Sequence, residues 1–190
     1  MGLAVSSVGL FGGAFDPPHM GHVAVARAVE EDLDVDGLVV LVSERPGHKE
    51  VHLPAEARLE LARAAFPDAE VRLDPYPRTV DLLRAERFDE PLVVVGADEF
   101  CDFLSWKEPE AVLALARLAV ATRPGFPRER LDSVLGALAR PDRVLFFEIP
   151  PIPAASRAIR ELAAAGAPLD GLVPDRVAEL IRERGWYRAD

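Results

Sequence analysis

Cysteine is almost missing from the 190-residue sequence, which contains Cys101 and no other. No disulfide can form within the chain, and a reducing compartment is the natural expectation. Long apolar runs are missing too, since no stretch approaches the roughly 20 residues of a membrane span. Residues 1–12 also lack the charged start of a signal peptide. We therefore expect a soluble, cytoplasmic protein with no membrane partner.

Positive charge is scarce in this sequence. Lysine and arginine total 22 against 32 aspartates and glutamates, which gives a net charge of -10 at pH 7. Nucleic-acid binding requires many clustered cations along a phosphate backbone, so we expect no nucleic-acid partner. A small anionic ligand remains compatible with this composition, because it responds to the local field of a cleft.

What the sequence does contain is a regular alternation of short β-branched runs with segments of helical period. The runs predict strands over residues 5–11, 38–42, 71–73, 92–95, 118–122 and 144–147. Helices are predicted over residues 21–33, 55–65, 79–86, 99–104, 108–118, 128–139, 156–164 and 175–184. This spacing predicts an α/β protein, with a Rossmann-like, doubly wound parallel sheet, helices on both faces and a helical C-terminal tail. The 17 prolines cluster between these elements, so we predict a single domain over residues 1–190, with its helical part at about 150–190.

Such a sheet binds ligands in the crevice at the carboxyl ends of its strands. The segment after the first predicted strand, GGAFDPPHMGH at residues 12–22, is the most informative one. Gly12 and Gly13 let backbone N–H groups approach a phosphate closely, and a helix begins just beyond. His19 and His22 lie three residues apart at that helix start, so they share one face. The segment therefore predicts a phosphate site with two imidazole donors.

Two other interpretations of the histidines compete with the phosphate site. One is a capping or surface role at the helix start. The other is a metal site held by the protein, because all four histidines, His19, His22, His48 and His52, lie in the first 52 residues. The HxxH pair lacks the glutamate and the i,i+4 spacing of a HExxH zinc site, so we assign no metal ligand.

The segment at residues 12–22 resembles the GxFDPxHxGH signature of a nucleotidyltransferase superfamily whose members attach a nucleoside monophosphate to a phosphorylated acceptor. Within it, the chain is similar to the nicotinate-nucleotide adenylyltransferase family nearly from end to end. The features that carry this similarity are PGHK at 46–49, Arg58, TVDLL at 79–83, VVGADEF at 94–100, Trp106, ATRPG at 121–125, SRAIR at 156–160 and LVPDRVAELI at 172–181.

The resemblance implies a reaction in which the phosphate of nicotinate mononucleotide attacks the α-phosphorus of ATP and pyrophosphate leaves. It implies His19, His22 and Lys49 as catalytic residues that contact phosphate. ATP binding is assigned to Gly12, Gly13, Phe15, His19, His22, Gly96, Asp98, Ser156 and Arg160. The pyridine nucleotide is assigned to Asp16, Lys49, Thr79, Trp106 and Lys107. Mg²⁺ is implied as the companion of ATP, held mainly by phosphate oxygens and water.

Several alternatives stay open at this level. Asp98 also suits a helix N-cap, Trp106 suits the core, and the two lysines suit the surface. The family's ISSTxIR segment has alanines at 154 and 155 here, while Leu82 replaces a threonine and Arg78 an aromatic residue. Other candidate functions are pantetheine-phosphate adenylyltransferase, nicotinamide-mononucleotide adenylyltransferase and a non-catalytic nucleotide-binding homologue. A homo-oligomer is compatible with the sequence.

Overall fold

Six parallel strands form one sheet in a computed structural model that describes residues 7–47 and 50–188. The strands are β1 (Val8–Gly13), β2 (Gly37–Ser43), β3 (Glu70–Asp74), β4 (Leu92–Gly96), β5 (Arg117–Thr122) and β6 (Val144–Glu148). Their order is β3-β2-β1-β4-β5-β6, and every neighbouring pair is parallel. This is the order of a doubly wound Rossmann-like sheet, so the predicted fold class is confirmed.

The eight α-helices of the described residues follow the predicted alternation closely. They are α1 (Met20–Asp32), α2 (Ala55–Ala65), α3 (Thr79–Ala85), α4 (Ala97–Cys101), α5 (Pro109–Leu115), α6 (Arg128–Leu135), α7 (Ser156–Ala164) and α8 (Asp175–Arg184). The predicted helix over 99–104 is wrong as a single element, because α4 ends at Cys101 and a separate 3₁₀ turn spans Phe103–Ser105. The helix predicted over 128–139 ends at Leu135, followed by Gly136. No helix in these ranges is long and apolar enough to cross a membrane.

Strand residues alternate between two cores, one on each face of the sheet. In β2, Val40 and Val42 join the core beneath α1, α2, α7 and α8, whereas Val39 and Leu41 join the core beneath α3 to α6. Burial on both faces explains why these strands are continuous apolar runs rather than alternating ones. The last helix, α8, contributes Val177, Leu180 and Ile181 to the first of these cores.

The strand order reverses between β1 and β4, which are direct neighbours in the middle of the sheet. Chains leaving these two strands run to opposite sides, and a crevice opens between them at the carboxyl edge. The turn after β1 and the start of α4 after β4 therefore face each other across this crevice.

Candidate active site

A cavity of about 770 Å³ lies at the carboxyl edge of the sheet. Seven of the predicted site residues line it: Gly12, Gly13, Thr79, Gly96, Asp98, Trp106 and Lys107. Five others, Phe15, Asp16, His19, His22 and Ser156, lie in or against the turn that leads into α1, and Arg160 donates to that turn from α7. Lys49 and the neighbouring His48 lie outside the described residues, so the role assigned to Lys49 stays a prediction.

The two glycines at the end of β1 serve different purposes. A Cβ built on Gly12 meets no atom of the described residues within 4 Å, because it points into the open crevice. A Cβ on Gly13 lies 2.9 Å from Cζ of Phe15, closer than real contacts allow. Gly13 is therefore required for packing of the turn, while Gly12 keeps the crevice floor bare for a ligand.

Replacing Gly12 by valine is expected to lower kcat/KM for ATP by about 10- to 100-fold, because the new side chain displaces phosphate from the backbone. Gly37→Val is the matched control, since Gly37 lies at the opposite end of a neighbouring strand and its Cβ also meets no described atom within 4 Å. Steady-state kinetics with a thermal melt for each variant test this. Equal loss of activity in both variants would contradict a ligand role for the floor at Gly12.

The two histidines form the N-terminal cap of α1. Nδ1 of His19 accepts from the backbone N–H of Gly21 at 3.1 Å, and Nδ1 of His22 accepts from that of His19 at 3.2 Å. The rings stack with centroids 3.8 Å apart. Because both Nδ1 atoms accept, the proton of each neutral ring lies on Nε2, which is a donor. The capping interpretation is thus confirmed, and it orients the donor nitrogens rather than competing with a phosphate role.

Burial keeps His19 neutral. It lowers the pKa of His19 from 6.5 to about 4, so the ring carries no charge at pH 7. His19 therefore presents a single N–H dipole at the helix N-terminus, where the partial positive charge of the helix already favours an anion.

The side chain of Phe15 lies in the core, so the ATP contact assigned to this residue stays a prediction, and only its backbone is placed to make it. Phe15 is 2% exposed, and its ring packs edge-on against Phe11, Phe66 and His22. Its centroid lies 5.1 Å from that of His22, so it supports the imidazole from below. The backbone of Phe15 has a φ of 51°, which turns the chain sharply out of β1.

Asp16 is buried at the turn, where it has a structural role, and the pyridine-nucleotide contact assigned to it stays a prediction. It is 3% exposed. Its Oδ2 accepts from the backbone N–H of His52 at 2.6 Å, and its Oδ1 accepts from the hydroxyl of Tyr187 at 2.7 Å. A buried carboxylate bound in this way fixes the surrounding segments.

Ser156 and Arg160 of α7 hold the same turn by its carbonyls. Oγ of Ser156 donates to the carbonyl of Pro17 at 2.9 Å, and Nη1 of Arg160 donates to the carbonyl of Asp16 at 2.7 Å. Arginine has five N–H donors, so this bond leaves Arg160 with capacity for an anion. The predicted polyphosphate contacts stay predictions, now beside a structural role that the sequence did not reveal.

Asp98 occupies the opposite wall of the crevice as the second residue of α4. Its side chain is 73% exposed, and the N-cap of this helix is Gly96, so the capping alternative for Asp98 is wrong. Phe126 also lines the cavity, with the guanidinium of Arg130 5.6 Å from its ring centroid. Sequence reasoning missed Phe126, although it directly follows the ATRPG segment.

The predicted pyridine side of the crevice contains Thr79 and Trp106. Trp106 is half-buried: it lines the cavity and its ring packs edge-on against Phe103, with centroids 5.2 Å apart. The ring thus packs on the core through Phe103 and also lines the cavity, and its contact with a ligand stays a prediction. Nζ of Lys107 donates to Asp81 at 2.7 Å, so its charge is compensated rather than available in full to a ligand.

Arg58 is the buried residue that ties the crevice loops together. It lies on α2, is 1% exposed, and donates to the carbonyls of Ala14 and Ser43 at 2.8 Å each and of Leu53 at 3.1 Å. The loops after β1 and β2 are thus joined through one guanidinium. The sequence marked Arg58 as part of the resemblance without giving it this role.

The described residues contain no cluster of metal-ligating side chains. No three His, Cys, Asp or Glu side chains there lie close enough to hold an ion. These residues do not offer Mg²⁺ a cage of protein ligands.

A parallel sheet in this order, with a bare glycine floor and a histidine-capped helix at its switch point, is the arrangement expected of a nucleotidyltransferase, and the family match assigns the chain to that class. Residues 10–162 match the model of the cytidylyltransferase-like family. Within that family, the chain belongs to the nicotinate-nucleotide adenylyltransferases.

Two curated relatives, each named "Probable nicotinate-nucleotide adenylyltransferase", support this assignment. The relative from Rubrobacter xylanophilus is 37% identical, over 96% of this chain and 92% of its own. The relative from Thermus thermophilus is 36% identical, over 95% of this chain and 99% of its own. Among solved structures, the nicotinic acid mononucleotide adenylyltransferase of Plasmodium falciparum complexed with NaAD superimposes with a TM-score of 0.78. It covers 96% of this chain and 97% of its own at 16% identity, which supports the fold alone.

Proposed function

We propose that this protein transfers the adenylyl group of ATP to nicotinate mononucleotide, giving nicotinate adenine dinucleotide and pyrophosphate in NAD biosynthesis. A phosphate oxygen of the mononucleotide attacks the α-phosphorus, and the bond from that phosphorus to the β-phosphate bridging oxygen breaks. The observation that carries the proposal is the histidine-capped start of α1 beside the bare glycine floor, in a chain whose full-length relatives bear that activity in their names.

The chemistry of this site is positioning and charge stabilisation. Phosphoryl-type transfer needs aligned reactants and donors aimed at the transferring group more than it needs a covalent nucleophile. In our proposal, the Nε2–H groups of His19 and His22 donate to the α- and β-phosphates, together with the backbone at the start of α1. Mg²⁺ would enter with ATP, held by phosphate oxygens and water, and would neutralise phosphate charge.

The experiment that tests the function is pyrophosphate release with ATP and three acceptors side by side: nicotinate mononucleotide, nicotinamide mononucleotide and phosphopantetheine. We expect the nicotinate nucleotide to give the highest kcat/KM. A higher value for either of the other two would overturn the proposed acceptor, and no release with any of them would favour a non-catalytic binding protein.

Replacing Trp106 by alanine is expected to raise KM for nicotinate mononucleotide by about 5- to 150-fold, since an aromatic face against a base-like ring contributes about 1–3 kcal/mol. Trp186→Ala is the matched control, because Trp186 is the other tryptophan and packs on the opposite face of the sheet. Lys107→Ala should change KM by less than about 3-fold, as Asp81 already pairs with Lys107 at the protein surface.

The comparison of nicotinate mononucleotide with nicotinamide mononucleotide also tests whether the site prefers the acid to the amide. We infer that N–H donors at this end of the crevice favour a carboxylate over an amide, because the NH₂ group of an amide is itself a donor and cannot accept their hydrogen bonds. If Trp106→Ala leaves KM for nicotinate mononucleotide unchanged, the ring of Trp106 has only a structural role.

A further inference from the structure

A buried hydrogen-bond centre beneath the crevice gathers four distant parts of the chain at Asp16. Three bonds to Asp16 define it: from the Tyr187 hydroxyl to Oδ1 at 2.7 Å, from the His52 backbone to Oδ2 at 2.6 Å, and from Arg160 to the main-chain carbonyl at 2.7 Å. Asp16 lies three residues before His19, which begins the cap of α1. The hydrogen bonds that fix Asp16 therefore also fix the position of the turn that carries His19 and His22.

We propose that Tyr187 is a positioning residue of the active site, whose hydroxyl holds Asp16 and thereby the turn that presents His19 and His22. The proposal deepens the function proposed above and rests on it for its kinetic test. Tyr187 itself touches no reacting atom. It acts through Asp16, which lies 171 residues before it in the sequence.

The backbone around Tyr187 supports a specific placement of its side chain. Gly185 ends α8 with a φ of 68°, and Tyr187 follows with a φ of 65°, in the left-handed region that non-glycine residues avoid. A tail that packs merely through its ring gains nothing from such a conformation. An aromatic residue keeps it where the surrounding contacts over-determine it, as the bond to a buried carboxylate does here.

The charges around Tyr187 keep its hydroxyl a donor. Burial, together with the negative charge of Asp16, raises the pKa of Tyr187 far above its usual value of 10, so the phenol stays protonated. The positive charges of Arg58 and Arg160 act in the opposite direction and lower the pKa of this phenol, but burial and Asp16 outweigh them; Arg58 also interacts electrostatically with Asp16. The carboxylate therefore has a hydrogen-bond donor on one side and cations nearby, which is how a buried acid is accommodated.

The test is Tyr187→Phe, which removes the hydroxyl and keeps the ring. We expect kcat to fall about 10-fold, with KM for both substrates changed less than about 3-fold, at a temperature well below the melting midpoint of the variant. Arg184→Ala is the matched control, because it breaks the bond from Arg184 to Glu60 that ties α8 to α2 and leaves Asp16 untouched. This control is expected to keep the wild-type kcat.

A second readout separates positioning from stability and from the proposed function. In ¹⁵N-labelled enzyme without substrate, Tyr187→Phe should shift the imidazole resonances of His19 and His22, and Arg184→Ala should leave them in place. If the melting midpoint falls while kcat and both resonances stay at wild-type values, Tyr187 is only a packing residue and the inference is overturned. If wild type shows no turnover but the resonances still move, the proposed function fails and the positioning role stands.

Discussion

Replacing His22 by alanine is expected to lower kcat about 10²- to 10³-fold, the usual cost of removing one donor to charge that builds in a transition state. Nε2 of His22 is the donor nitrogen, because Nδ1 accepts from the backbone of His19. Alanine also deletes that cap acceptor, which costs about 0.5–2 kcal/mol of stability. The melting midpoint should therefore fall by no more than about 8 °C in a chain of this size.

Two further variants at this position separate the cap from the catalytic donor. Asparagine places an oxygen near the position of Nδ1, so His22→Asn should restore the melting midpoint and leave kcat low. Glutamine places its amide N–H nearer the position of Nε2, so His22→Gln should recover part of the rate with less recovery of stability. A His22→Ala enzyme that keeps more than about a third of the wild-type kcat would sink the donor role.

The fold was within reach of sequence reasoning because its signals are local and repeated. Each strand buried on both faces reads as a continuous apolar run, as in Leu38 to Val42, and each is followed by a helical segment. Handedness and twist then leave few topologies for such an alternation. Differences occurred mainly at element ends, as at Gly136, where only hydrogen-bond geometry in three dimensions decides the boundary.

The crevice location and the glycines lining it were also predictable, since their requirement is steric and belongs to the backbone. The roles of Phe15 and Asp16 were not. Both lie inside the motif, yet the structure turns Phe15 into the core and binds Asp16 to Tyr187, far along the chain. Sequence spacing cannot tell a residue that contacts a ligand from one that shapes the turn below it, because both are equally constrained by the same local motif.

Arg58 is different, because a usable signal was present. Arg58, Leu61, Ala62 and Ala65 recur at helical spacing, and all four are buried on one face of α2. An arginine on an otherwise apolar stripe must either leave the core or find acceptors inside it. The structure shows the second outcome, with acceptors in the carbonyls of Ala14, Ser43 and Leu53.

Replacing Arg58 by methionine is expected to lower the free energy of unfolding by about 3–5 kcal/mol, because at least two carbonyls each lose a hydrogen bond from a charged donor, at about 1.5–2.5 kcal/mol apiece. Methionine fills similar space but donates nothing, so the carbonyls of Ala14 and Ser43 lose buried donors, and Asp16 loses a nearby cation. At about 2–4 °C per kcal/mol, the melting midpoint should fall by roughly 6–20 °C. Activity measured at temperatures below that midpoint should also be reduced, because Ala14 belongs to the turn that carries the histidines.

The matched control is Arg63→Ala, an exposed arginine on the same helix, which should stay within about 0.5 kcal/mol of wild type. Arg58→Lys keeps the positive charge near Asp16 but replaces a planar five-donor fork by a single ammonium, so we expect an intermediate loss. Urea unfolding followed by circular dichroism, with the midpoint and slope fitted for each variant, measures all three. If Arg58→Met unfolds with the wild-type midpoint, the guanidinium does not hold the two crevice loops together. Packing around the ring of Phe15 would then have to stabilise these loops instead.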